Sequence, residues 1–409
     1  MVCTSTTVPK TEDLAAWGTL LVGLLIVLSL LSKAALEHLD LPDLLGYLLI
    51  GIGLRLFERT GPLVSINGSQ LFPFLAKLGV VALLFRIGLE CNPKHLLRRL
   101  SGATRIWIAN VTLSLGAVLT TALLLLDWAL LPSLFAAVAL TATGIGVSVR
   151  VWRRTDQLGS AKGALMLDVA ELDDLSGVVL LALLTALAPQ LQSSISADLI
   201  GPMALTLGLT LGKIGLLGLG GLVFAQYLEH PLTHWLHDLQ PRPDLMISVL
   251  GIGLVVAGLT ALLGFSAAIG VFFAGLIFSR DPLSVKIDAS FDSLHDLLVP
   301  FFFIYVGFAL DLSVLLGNLG AVFLLFAAAV VGKGLGSFMP VMNRLRSSSA
   351  LTFAVALIPR SEITLLVMQR GLDLGVVSQD AFAVVVAVVI LTMGTVPLAL
   401  RLLLPNATT

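Results

Sequence analysis

Residues 165–187 read LMLDVAELDDLSGVVLLALLTAL, and four carboxylates, Asp168, Glu171, Asp173 and Asp174, interrupt a run otherwise apolar enough to cross a bilayer. A charge at mid-membrane costs about 2.5–3.5 kcal/mol on insertion scales, so two consecutive aspartates there mark a functional position. The chemistry that suits them is an ion and proton site. A carboxyl group moved out of water is harder to ionise, and near neutral pH it can hold either a proton or a small cation. That competition is the minimum machinery of exchange.

The rest of the chain supplies the membrane. Of 409 residues 57% are hydrophobic and 12% charged, with mean hydropathy +1.02, whereas soluble domains carry about 25% charged residues. An all-α polytopic membrane protein is expected. A net charge of -1 gives no reason to expect nucleic acid, and two cysteines, Cys3 and Cys91, make neither a disulfide framework nor a zinc site. No cofactor is implied. The N-terminus lacks the basic and small-residue pattern of a signal peptide, so the first apolar segment is expected to be retained, with no soluble regulatory domain attached.

With about 20 apolar helical residues needed per crossing, the chain divides into about thirteen. They fall near 14–36, 43–58, 72–91, 105–126, 131–152, 161–188, 199–226, 244–261, 263–279, 294–316, 320–340, 350–370 and 381–404, with only Gly264 to Ser266 between the eighth and ninth. Basic residues test the count. If the N-terminus is outside, the inner side collects Lys33, Lys94, Arg98, Arg99, Arg105, Arg150, Arg153, Arg154, Lys162, Arg242, Arg280, Lys286, Arg344, Arg346 and Arg401. The outer side keeps Lys10, Arg55, Arg59 and Arg370, fifteen against four, the asymmetry that orients membrane proteins. Lys77, Arg86, Lys213, Lys333 and Arg360 then fall inside crossings. A prokaryotic inner (plasma) membrane, N-terminus outside and C-terminus cytoplasmic, is the expected location.

Two crossings read as unwound. The fifth contains ALTATGIGVSVRVW, with Thr141, Thr143, Gly144 and Gly146, and the twelfth contains Pro359, Arg360, Ser361 and Glu362. Proline removes a donor and clashes with the preceding turn, and a Thr and Gly cluster lowers helical preference. Interrupted segments at corresponding positions of two halves point to a midplane site. An inverted repeat of crossings four to six and eleven to thirteen would cross the breaks beside Asp173, Asp174 and Lys333. Lys333 can neutralise one aspartate and release a proton when the cation arrives, and oxygens near Thr141 and Thr143 suit an alkali cation. Arg360 and Glu362 read first as a pair holding the broken helix together, Lys77, Arg86 and Glu90 as interhelical pairs. Glu171 joins the supporting polar network, one helical turn before Asp174. His230, His234 and His237 read as an amphipathic connector in preference to a metal site.

ALTATGIGVSVRVW followed by LMLDVAELDDLSGVVLLALL resembles the second monovalent cation/proton antiporter family, which holds the Kef-type and NapA-type transporters. LLGYLLIGIGL, LGVVALLFRIGLECNPKHL, GFSAAIGVFFAGLIFSR, LLVPFFFIYVGFALDL and LIPRSEITLLVMQRGLDLG continue the resemblance in order over nearly the whole chain. It implies a thirteen-helix fold with two crossed broken helices and a homodimer in the bilayer. An ion-translocating core, about 105–188 and 320–404, would move against a dimerisation part, about 14–91 and 199–316. Carried over by position, Asp174 binds the cation, Na+ in members with two aspartates, and Asp173 pairs with Lys333. Electrogenic exchange of sodium for protons is implied, against potassium in members with Gln-Asp or Asn-Asp here. Ser361 stands where the family often has Gly, and Asp168 and Glu171 where small or apolar residues are commoner.

A potassium/proton antiporter and a sodium-coupled organic-solute symporter of related fold stay as alternatives. An intramembrane aspartyl protease does not fit, since adjacent residues on one helix point about 100° apart.

Overall fold

The computed structural model describes residues 11–39, 41–58, 71–90, 93–154, 157–192, 200–228, 231, 245–262, 267–278, 284–342 and 345–404. Among these the chain is helical, with one isolated antiparallel bridge and no strand. The three histidines of the seventh connector, Gly264 to Ser266 and both cysteines lie outside the described residues.

Leading to the quoted stretch are α1 (Thr11–Leu39), α2 (Asp43–Glu58), α3 (Leu71–Glu90) and α4 (Pro93–Leu124). The fifth crossing is two short helices, α5 (Leu130–Ala139) and α6 (Ile145–Arg154), and the aspartate helix is α7 (Ala161–Gln192). Then come α8 (Ile200–Val223), continued by a wider turn over Phe224–Leu228, α9 (Leu245–Leu262), α10 (Ala267–Phe278) and α11 (Ser284–Ala309). After the short α12 (Leu312–Gly317) run α13 (Leu319–Val341), the second divided pair α14 (Ser347–Ala356) and α15 (Glu362–Asp373), and α16 (Gln379–Leu403). Eight spans among the described residues are long and apolar enough to cross a membrane alone; α5 and α14 are shorter apolar helices, each the first half of a broken crossing.

Several boundaries differ from the sequence reading: α4 begins at Pro93 and not near 105, and α11 begins at Ser284 and not near 294. The tenth crossing was expected to run to residue 316, but α11 ends at Ala309. Asp311 then accepts a hydrogen bond from the Ser313 backbone N–H at 2.9 Å and opens α12. A carboxylate that satisfies a free helix-start donor stops one helix and starts another.

The helices pack as two bodies. In one, α13 lies along α4, with α5, α6, α7 and α14 to α16 around them; in the other, α2 and α3 pack on α11, α10 packs on α3, α9 on α10 and α1 on α2. The α4/α13 seam is close because of glycine: a Cβ on Gly336 would come 2.7 Å from the Asn110 Cα, and one on Gly332 2.9 Å from the Leu113 carbonyl. Small residues let helices approach where lipid supplies no hydrophobic drive.

Candidate cation and proton site

The two breaks meet face to face. Thr143 and Arg360 form the antiparallel bridge, and the Gly144 N–H donates to the Pro359 carbonyl at 2.8 Å. Pro359 keeps Ile358 out of the helical region, and Ser361 restarts the chain as the N-cap of α15, accepting from the Ile363 N–H at 3.2 Å. At Gly144 a Cβ would stand 2.3 Å from the Arg360 carbonyl oxygen. Only glycine fits there.

Unwound backbone at membrane depth must find partners within the protein. Leu140 O accepts from Ser114 Oγ at 2.9 Å and from an Arg360 guanidinium nitrogen at 2.5 Å. The other terminal nitrogen of Arg360 donates to Ala329 O at 2.6 Å, Ser148 Oγ donates to Ala356 O at 2.5 Å, and Lys333 Nζ donates to Thr141 O. The helix ends that carry partial negative charge thus receive the two buried cations. Arg360 bonds carbonyls of α5's end and of α13, not Glu362. The expected Arg360 and Glu362 pair does not form because carbonyls freed by the breaks take the guanidinium.

Asp173 lies beside this crossing, wholly buried with Lys333, Thr143, Arg360 and Asn110. Its Oδ2 accepts three hydrogen bonds: from Lys333 Nζ at 2.8 Å, Thr143 Oγ1 at 2.5 Å and Asn110 Nδ2 at 2.7 Å. Its Oδ1 has no partner. Asn110, a lone amide in α4, was not singled out from the sequence, and its position in an otherwise apolar turn was the available signal. Thr141 enters through its carbonyl; its hydroxyl donates to Val138 O at 2.7 Å, the ordinary use of threonine in a helix.

Asp174 points elsewhere, as a 100° step requires. It lines a cavity of about 630 Å³ between the two bodies, with Thr143, Glu171 and Glu362 beside it. Asp174 Oδ1 is buried without a hydrogen-bond partner. Arg86 and Glu90 of α3 line the same cavity and pair at 2.7 Å; Arg86 also reaches Asp292 at 3.1 Å. The same cavity is lined by Lys33, Asp43, Arg150, Arg153 and Asp296. Lys33 Nζ pairs with Asp296 at 2.6 Å within the α1/α11 side, while Arg150 of α6 and Asp43 of α2 meet at 3.4 Å across the two bodies. Asp168 is not among the lining residues. The sequence did not pick out Asp43, Tyr47, His295 or Asp296, which come from α2 and α11 and meet only in the fold.

No cluster of three or more His, Cys, Asp or Glu able to hold a resident metal occurs among the described residues. An oxygen-only group centred on a carboxylate and a hydroxyl suits transient alkali-ion binding, an ion carried and not kept.

Residues 24–404 match the family model described as "Sodium/hydrogen exchanger, transmembrane". The chain is 29% identical over 349 residues to the high-affinity Na+/H+ antiporter NhaS3 of Synechocystis sp., covering 83% of this chain and 73% of that one. It is 28% identical over 395 residues to YbaL of Escherichia coli, covering 94% of this chain and 68% of that one. Its backbone superposes on the sodium proton antiporter MjNhaP1 of Methanocaldococcus jannaschii with TM-score 0.73 at 18% identity, over 97% of this chain and all of the other.

Proposed function

The chain belongs to the transmembrane sodium/hydrogen exchanger family, and from that premise we propose that it exchanges Na+ for H+ across a prokaryotic plasma membrane by alternating access, electrogenically. It is a transporter and not an enzyme, and members of this family need no cofactor, their cations being substrates.

One observation carries the residue assignment. Asp174 faces a cavity with a buried, unpartnered oxygen, while its neighbour Asp173 is turned away and saturated on one oxygen by three donors. Asp174 is the cation ligand, with the Thr143 oxygen at hand. Asp173 and Lys333 form the charge pair that the arriving cation unsettles, so that Lys333 gives up its proton and takes it back when the cation leaves. Competition of this kind links the two fluxes through one set of groups. Glu171 and Glu362 extend the polar wall along which the cation and protons approach.

The packing supports a core of about 105–188 and 320–404 that rocks against a scaffold of about 14–91 and 199–316, with the cavity between them. The cavity is lined by Lys33, Arg150 and Arg153, which the excess of basic loops puts on the cytoplasmic side. This conformation is the inward-open one. A homodimer through the scaffold is supported by α8, whose Leu205, Leu209, Leu216 and Leu219 remain exposed on the single chain.

The test is cation-driven proton movement in proteoliposomes, sodium and potassium added in turn, with the membrane potential clamped or free. Sodium-driven proton release whose rate changes on clamping, and its absence in Asp174→Asn, is the expected result. Potassium acting alone, or full exchange by Asp174→Asn, overturns the assignment.

A further inference from the structure

Asn110 is a buried polar group at the site for which the exchange cycle above has no use. It is completely buried in α4, where the close approach of Gly336 fixes its backbone against α13. Its amide Nδ2 reaches Asp173 Oδ2 at 2.7 Å, the same oxygen that Lys333 and Thr143 bind. Its own Oδ1 has no partner. A buried amide half satisfied is costly to keep, and leucine, of nearly the same shape, would fill the space.

We propose that Asn110 is a positioning residue for cation coupling: it is the neutral donor that holds Asp173 when Lys333 withdraws. Resting on the exchange reading above, the argument is one of accounting. When the cation occupies Asp174 and Lys333 lets go, Asp173 would otherwise be left buried with a single neutral donor, the Thr143 hydroxyl. An isolated charge in that place is not sustained without hydrogen bonds. Lys333, Arg360 and Asp174 are the charged groups around Asp173, and of the first two Arg360 is committed to Leu140 O and Ala329 O. Asn110 comes from a helix that packs within the core, so it stays with Asp173 while the core moves. It thereby populates the lysine-released form, the one that accepts the cation. A ligand that binds one form of a protein has its apparent affinity scaled by the population of that form.

The experiment measures sodium-driven proton movement in proteoliposomes for wild type, Asn110→Leu and Asn110→Gln across a range of sodium concentrations. Asn110→Leu is expected to raise the half-saturating sodium concentration about tenfold while the rate at saturating sodium stays within about twofold; Asn110→Gln, which keeps the amide, recovers part of the affinity. An unmoved half-saturation in Asn110→Leu overturns the proposal. So does a fall in saturated rate and melting temperature together with affinity intact, the signature of a packing role. Should Asn110→Leu not accumulate, Asn110→Ala, which leaves space and no clash, is read by the same criterion. Wild type separates the two ideas: no sodium-driven proton movement there sinks the exchange reading, whereas wild-type exchange with unshifted variants sinks only the role of Asn110.

Discussion

Asp173 and Lys333 are wholly buried and 2.8 Å apart, so each neutralises a charge that the interior could not carry alone. Removing one partner of such a pair strands the other and costs about 3–5 kcal/mol, while replacing both with neutral groups of similar volume is often harmless. Lys333→Gln is therefore expected to lower the melting temperature of the detergent-solubilised protein sharply. The double variant Asp173→Asn with Lys333→Gln should return most of that loss, although exchange stays absent. Equal melting temperatures for Lys333→Gln and wild type would mean that the pair is not buried together. Asp174→Asn behaves oppositely. Its carboxylate faces the cavity with an unpartnered oxygen, so neutralising it should remove exchange without lowering stability, and a stability loss as large as that of Lys333→Gln would contradict its placement.

The two breaks are held by main-chain contact as well as by side chains, and Gly144 is where their backbones touch. A methyl group 2.3 Å from the Arg360 oxygen cannot be relieved by a side-chain rotation, since its neighbour is backbone. Gly144→Ala should cost about 1–3 kcal/mol, as overpacking does, and abolish exchange, whereas Gly146→Ala, with nothing within 4 Å of the added atom, should leave both untouched. Melting curves and proteoliposome assays on the two variants decide it; equal losses at both positions would remove the close crossing as the cause. Arg360 is a second lever here. Its planar fork reaches Leu140 O and Ala329 O together, which a lysine's single ammonium on a flexible stem does not reproduce. These breaks were legible in the sequence because proline, glycine and threonine announce lost helix locally, and the acidic pair was legible because charge in an apolar run is conspicuous. Asn110 was not, because a single amide is unremarkable until Asp173 is seen beside it. The early end of α11 was missed for a related reason: Asp311 could sit in a helix as readily as cap one, and the choice lies in three-dimensional packing. Arg360's acceptors were also out of reach, since carbonyls freed by a break leave no mark on the sequence.

At the scale of the whole molecule the cavity lies between two packed groups of helices, and polar groups that bridge it bias which way it opens. Arg150 on α6 and Asp43 on α2 are one such bridge, at 3.4 Å, each side chain 31% exposed. A partly exposed ion pair is worth about 0–1 kcal/mol, too little to lock a transporter and enough to shift the balance of two states by up to about fivefold. On the proposed inward-open reading the presence of this bridge in the structure gives the shift a direction: Asp43→Asn should disfavour the inward-open state. Val149, the residue before Arg150 on the same helix, also lines the cavity and can report it. In a background with Cys3 and Cys91 replaced by serine, Val149→Cys should react with a membrane-impermeant maleimide in inside-out vesicles and not in right-side-out ones. Adding Asp43→Asn should slow that reaction by up to about fivefold. Labelling from the outer face alone would reverse the orientation derived from the basic loops. Labelling unchanged by Asp43→Asn would leave the cavity's opening to the apolar packing between the bodies and remove this ion pair from it.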